Sequence, residues 1–398
     1  MSTPLWRSSH RLGLLRCDAV VVGAGVTGVS AALTLQRRGL SVIILEQNSL
    51  ASAASGRNAG FLMRGAADNF ANAVHALGHA SASFLWRLTE ENLAALKREG
   101  LESLPSYQPI PSCLLALTHS EADELRLSAD LLSQHGFDAS LITHADDPPW
   151  KSTNPPLLGL LNTADAACNP HELLALLASR LDRPPIEHQE VIAHQPDHHA
   201  VRLTFTDGAL IARHALFCTN AYTSLALPQL AGLITPNRAQ MIALHAPAQL
   251  LHRSYYANHG SEYFRQPTPD TIILGGKRSL NQTREQTLTD ETTPVIQAAL
   301  EDFALQMLGQ RFPVTARWSG PMGFTADSLP LVGPIDTTNR VWLCAGFNGH
   351  GMSMAYRTAQ IAVNAMLDGE PNPFPLDRLQ SLPVAPRPST GIVPPAAV

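Results

Sequence analysis

Residues 19–28 read Ala-Val-Val-Val-Gly-Ala-Gly-Val-Thr-Gly, and this stretch decides the fold. An apolar run ends in a glycine loop, and an Ala-rich helical pattern, Val26 to Arg38, follows with Gly39 as its stop. Val42–Leu45 is a second apolar run, closed by Glu46. Strand, G-x-G-x-x-G, helix, strand and acidic residue make one βαβ unit for binding a dinucleotide. Gly23 permits the tight turn, Gly25 lets backbone approach a pyrophosphate, and Gly28 lets the helix lie close to the sheet. Ala24, Val26 and Thr27 complete the loop, whose helix N-terminus offers free N–H groups to phosphate. Glu46, with Gln47 beside it, is placed to accept bonds from an adenosine ribose. The loop alone does not separate FAD from NAD.

The chain has 398 residues, enough for about two domains of roughly 100–200 residues each. It is 45% hydrophobic and 15% charged, so it can bury large cores. A net charge of −5 and the lack of a basic run argue against nucleic acid. The five cysteines are scattered without a C-x-x-C, which argues against a disulfide framework and a metal site. No apolar run has signal-peptide or membrane-span length, so a cytoplasmic protein is expected.

Helical periodicity runs from about 68 to 100 and over Leu125–Leu132, and Asn169-Pro170 starts another helix. Val201–Phe205, Asp207-Gly208 and Leu210–Phe217 read as a hairpin running into a buried strand. Strand-like pieces at Met241–Leu244, Tyr263–Arg265 and Ile272–Leu274 surround a helical stretch from Val295 to Leu308. From Val341 the pattern returns to strand, Gly-rich turn and helix, and a Pro-rich tail follows.

Three further blocks carry a resemblance: ASAASGRNAGFLMRG (51–65), WSGPMGFTADSLPLVGP (318–334) and CAGFNGHGMSMA (344–355). With the glycine loop they resemble the D-amino-acid oxidase-like flavoenzymes, the group containing glycine oxidase, sarcosine oxidase and γ-glutamylputrescine oxidase. TPNRAQ (235–240) is similar to the family's P-x-R-G-Q segment, with Ala239 for glycine. The resemblance implies FAD and an α/β fold. A discontinuous Rossmann-like domain would combine with an α+β substrate domain on a mostly antiparallel sheet. The expected division is 17–80, 151–225 and 318–370 for the FAD domain, 81–150 and 226–317 for the substrate domain, and 371–398 for the tail. It also implies hydride transfer from the carbon beside a neutral amine to flavin N5, then imine hydrolysis and reoxidation by oxygen or another acceptor.

On this resemblance the flavin is lined by Ser55, Gly56, Arg57, Asn58, Ala59 and Gly60, and by Gly346, Phe347, Asn348, Gly349, His350, Gly351 and Met352. Val191, Thr219, Asn220, Gly320 and Asp327 join the cofactor set, Asp327 being either flavin-side or a turn carboxylate. His350 and Asn348 would stabilise charge on the reduced ring. The covalent cysteine of sarcosine oxidase-like members falls at Gly320, so non-covalent FAD is expected.

The family's carboxylate-holding arginine falls at Met322, and its carboxylate-holding lysine at Ser353. This tilts the substrate toward an amine without a nearby acid group. Arg64 is either a carboxylate holder or a structural arginine, and Lys277 either an oxygen-activating lysine or a strand-end lysine. Tyr255 and Tyr263, near Tyr256 and His259, are candidates for an amine-facing wall. Two other classes stay open: an FAD enzyme acting on a 2-hydroxy acid-like substrate, and a non-catalytic FAD-binding subunit.

Overall fold

A computed structural model describes residues 12–66 and 68–379. The residues before 12 and most of the Pro-rich segment, 380–398, lie outside the described residues. The strand read at Ala19–Val22 runs over Gly13–Val22, because its first half pairs in parallel with Gly208–Ala212. Its second half lies between Val42–Leu45 and His214–Phe217. The Val341–Ala345 strand joins Ala215–Phe217 in parallel, and Leu331–Pro334 closes the edge antiparallel. The apolar runs have no polar alternation because helices cover one face of this sheet and a second apolar cluster the other.

The glycine-loop helix spans Val26–Arg37 and is apolar along most of its length. It packs against the long helix Gly351–Asp368, which also receives the helix His79–Arg98. Glu99 ties this layer together, pairing with Arg37 at 2.7 Å and Arg180 at 3.0 Å. The periodic stretch 68–100 is two helices, Phe70–Leu77 and His79–Arg98, because Gly78 turns the chain at φ +79°. The helix around Leu125–Leu132 spans His119–Gln134, started by a capping box of Thr118 and Glu121. Asn169 caps Pro170–Ala178 by accepting from the His171 N–H.

The second sheet has eight strands, all antiparallel except where Ser254–Ala257 meets Ser112–Ala116. This is the expected architecture, but its borders move. Leu158–Asn162, placed by the sequence in the FAD domain, pairs with Ser112–Ala116 in this sheet. Val314–Phe324 also belongs here, pairing with Thr235–Leu244 from the TPNRAQ segment. It contains Pro321, which is tolerated because the strand lies at the sheet edge, where a proline costs no ladder bond. Helix His79–Arg98, placed in the substrate domain, packs on the nucleotide-side helices instead. Among tail residues 371–379, the Phe374 carbonyl accepts from the Val332 N–H, so this part wraps onto the first sheet.

Candidate active site

Two cavities meet between the sheets. The long one has a volume of about 1300 Å³ counting its open mouth. Its walls include Gly23, Gly25, Val26, Thr27, Glu46, Gln47, Ser55, Asn58, Val191, Thr219 and Asn220. Phe347, Gly349, Gly351 and Met352 line its other end. The sequence did not single out Tyr222 and Gln189, which line it too.

The loop is built for close approach. Gly23 sits at φ +105°, and a Cβ there would lie 2.9 Å from the Cys218 carbonyl oxygen. A Cβ on Gly28 would lie 1.9 Å from the Gly23 oxygen. Gly25 brings no side-chain cap to the Val26–Arg37 helix and its first turn holds no acid, the Val26 N–H alone being taken by the Ser55 hydroxyl. That uncapped N-terminus, set in a cradle only glycine permits, fits an anionic pyrophosphate. The Glu46 carboxylate accepts from Ala24 N–H at 2.7 Å and Asn48 N–H at 2.8 Å, which fixes it in the cavity wall. Ala24 and Gly28 shape the loop from behind.

The 51–65 block folds as a short helix, Ala54–Arg57, followed by extended backbone. Ser55 Oγ accepts from the Val26 N–H at 3.0 Å, joining this block to the glycine loop. Arg57 spans the two sheets, donating to the Ser52 and Ser319 carbonyls and pairing with Asp290 at 2.6 Å. Gly56 packs on His171, and Gly60 on the Cys168 carbonyl, so these two glycines serve packing. Asn220 accepts from the Gly346 N–H at 3.0 Å, fastening the first sheet to the 344–355 block.

The second cavity, the chamber, is about 750 Å³ counting its mouth. Ala54, Asn58, Met322, Gly349 and Met352 line both cavities, so they form the common wall. Arg57, Ala59, Gly320, Asn348, His350 and Tyr263 also face the chamber. His350 is buried, its ring 5.9 Å from that of Tyr256, and its Nε2 has no partner. Burial first, and then the Arg278 charge, push its imidazole down to about 4. The Asn348 amide is occupied locally, bonded to Thr325 and to the Gly346 carbonyl, so it staples the loop.

Four expected site residues stand elsewhere. Tyr255 points to the opposite face of the sheet from Tyr256, donates to Asp147 at 2.6 Å and stacks on Phe264. Strand alternation requires that neighbours face opposite sides, and the sequence does not say which side is the chamber. Arg64 is buried, held by Glu90 at 3.0 Å, Asn162 at 2.8 Å and the Asp138 carbonyl, and lines neither cavity. Lys277 takes a left-handed turn at φ 61° and sends its ammonium over Phe303 at 4.4 Å, beside Glu262. Asp327 pairs with Arg378 at 2.6 Å and caps its own turn at Leu329. The sequence missed Arg278, Phe61 and Phe324 as chamber residues. Arg278 is next to the Lys277 that the sequence did single out. Only the left-handed turn between them decides which of the two faces the chamber.

Burial also raises the Asp165 carboxyl, to about 6. The two buried groups give opposite pH signatures. His350 stays neutral in the fold while an unfolded histidine takes up a proton near 6.5, so its contribution to stability is lost as pH falls from 6.5 toward 4. Asp165 costs stability as pH rises from 3.8 toward 6. Replacing His350 by Gln removes only the first. The variant's Tm is therefore expected to fall less than the parent's between pH 6.5 and 4, and thermal melts across that range check it.

The sequence pattern of the FAD dependent oxidoreductase family matches residues 18–365. Gamma-glutamylputrescine oxidoreductase of Escherichia coli is 25% identical, over 94% of this chain and 88% of its own. Glycine oxidase of Pseudomonas putida is 24% identical, over 89% of this chain and 95% of its own. Among solved structures, L-proline dehydrogenase from P. horikoshii superposes with a TM-score of 0.76 at 18% identity, covering 91% of this chain and 96% of that one. Glycine oxidase from Geobacillus kaustophilus gives 0.75 at 19% identity, covering 90% and 96%. No described helix is long and apolar enough to cross a membrane.

Proposed function

The chain belongs to the FAD dependent oxidoreductase family, and from that premise we propose that it oxidises the C–N bond of an amine or amino acid. The observation that carries this reading is the common wall of the two cavities. The glycine loop and Glu46 would hold a dinucleotide in the long cavity, on the other side of the common wall from the chamber. Bound FAD supplies the acceptor for two electrons from the substrate, and the resulting imine hydrolyses. Gly320 stands where sarcosine oxidase-like members carry the cysteine that bonds the flavin, so the cofactor is held without that covalent bond.

The chain's own part is preparation. Phe61, Tyr256, Tyr263 and Phe324 give the chamber aromatic walls, and among the described residues no carboxylate lines it. Removal from water beside the Arg278 charge disfavours an ammonium ion there, so the amine sheds its proton on entry and presents its lone pair. Asn58 and Met322 hold the common wall, and the unpartnered His350 Nε2 is free to bond an entering group. The uncapped N-terminus of Gly351–Asp368 sits at the same wall and favours negative charge there.

Turnover with an artificial electron acceptor tests the reading. An amino compound should yield a carbonyl product together with ammonium or a shorter amine. Oxidation of 2-hydroxy acids alone, with no C–N cleavage, would overturn it. Because Lys277 is turned onto Phe303, Lys277→Met is expected to leave flavin reduction and reoxidation rates within about twofold, as for a surface change. Stopped-flow traces of both half-reactions check this.

A further inference from the structure

We propose that Arg278 is the anion anchor of the chamber, so that the substrate carries a carboxylate beside the amine that is oxidised. This rests on the C–N oxidation reading and deepens it. The strand Thr271–Gly276 ends at Gly276, where a Cβ would lie 2.4 Å from the Ser261 oxygen. The left-handed turn at Lys277 then sends successive side chains to opposite sides. Lys277 goes to Phe303 and Glu262, and Arg278 goes into the chamber.

The Arg278 guanidinium lies 5.2 Å from the ring centre of Phe324. A ring face orients a cation but brings no opposing charge and no strong acceptor. Among the described residues no carboxylate lines the chamber. The other chamber arginine, Arg57, is already engaged by Asp290 and two carbonyls. Arg278 is thus the uncompensated cation of an otherwise neutral, aromatic space. A planar fork of N–H donors in that setting matches a carboxylate.

Tyr256 and Tyr263 flank the same space, with ring centres 6.1 Å apart. Burial holds both phenols well above their ordinary range, Tyr263 at about 12, so they remain donors. The neutral His350 adds no competing positive charge. A dication such as a free diamine would meet an uncompensated positive charge here, whereas an amino acid would neutralise it.

The test uses the FAD-loaded protein and two non-reacting probes of one shape, benzoate and its neutral amide, benzamide. Binding is followed through the visible flavin spectrum. Benzoate should bind at least about tenfold more tightly than benzamide, the scale of one charge-assisted bond. Arg278→Gln should abolish that preference, and Arg278→Lys should keep part of it. The Lys variant and the melting temperature of each loaded protein guard against misfolding. Equal binding of the two probes, or a preference that survives Arg278→Gln, overturns the anchor. Should benzoate behave as expected while no amino compound is oxidised, the anchor stands and the C–N reading fails. Should acid-free amines be oxidised while benzoate shows no preference, the reading stands and the anchor fails.

Discussion

Gly28→Ala is expected to yield a colourless protein. One added methyl would place its Cβ 1.9 Å from the Gly23 carbonyl oxygen, and Val21 Cγ1 lies 3.3 Å away on the other side. Neither atom is the free end of a flexible chain. The helix must lift from the sheet or the loop must open. Either movement takes the Val26 N–H from Ser55 Oγ and disturbs the Glu46 bond to Ala24, so both ends of the cradle change together. A loss of about 3 kcal/mol, ordinary for an overpacked contact, weakens FAD binding by roughly 100-fold. Visible absorbance per mole of purified protein, before and after adding FAD, measures it.

Glu285→Ala is expected to give the largest loss of stability. Arg238 and Glu285 form a two-bond pair at 2.8 and 2.9 Å, with side chains 4% and 0% exposed. Gln240 donates to the same carboxylate and accepts from the Thr293 N–H, so the pair holds the segment 285–293 against the substrate sheet. Burial opposes ionisation of Glu285, but Arg238 and Gln240 outweigh it and hold the carboxyl below its usual range. Removing the acid strands a buried guanidinium, at a cost of about 3–5 kcal/mol. Tm should fall by roughly 4–6 °C, because an unfolding entropy of about 2.1 cal/mol/K per residue over 398 residues makes each kcal/mol worth about 1.2 °C. Replacing both partners with apolar residues should recover much of the loss, because the stranded charge goes too. Thermal melts of the single and double variants separate the two cases.

The first βαβ unit was legible because its chemistry is local. Strand, loop, helix and acid lie within Ala19–Glu46, and Gly28 answers to an atom of the same loop, Gly23. The cofactor wall was legible for the same reason, since its blocks are continuous runs. The chamber was less so. Whether Tyr255 or Tyr256 faces it depends on which side of a strand meets the first domain, and that is set by partners as distant as Ser112–Ala116. The choice between Lys277 and Arg278 turns on one positive φ at a lysine, which residue type does not announce. Spacing left Arg64 open between a carboxylate holder and a structural arginine, and its surroundings decide for the second, since the guanidinium goes to the acceptors around it, here Glu90 and Asn162.

This last point bears on substrate. Met322 and Ser353 stand where relatives hold a carboxylate, and from them the sequence tilts toward an amine, or an amino compound whose acid group lies elsewhere. Met322 and Ser353 both line the chamber, and the Ser353 hydroxyl accepts from the Met63 N–H at 2.9 Å. Arg278 enters the same space from another strand, so the proposed anchor reverses the tilt without restoring the family's positions.

Anaerobic mixing of the FAD-loaded protein with matched amino acids, amines and 2-hydroxy acids tests the central claim most directly. The account predicts that the yellow flavin absorbance is bleached by at least one amino compound, and more readily by one with a carboxylate than by its decarboxylated amine. Bleaching by hydroxy acids alone, or by none of the panel, would contradict it.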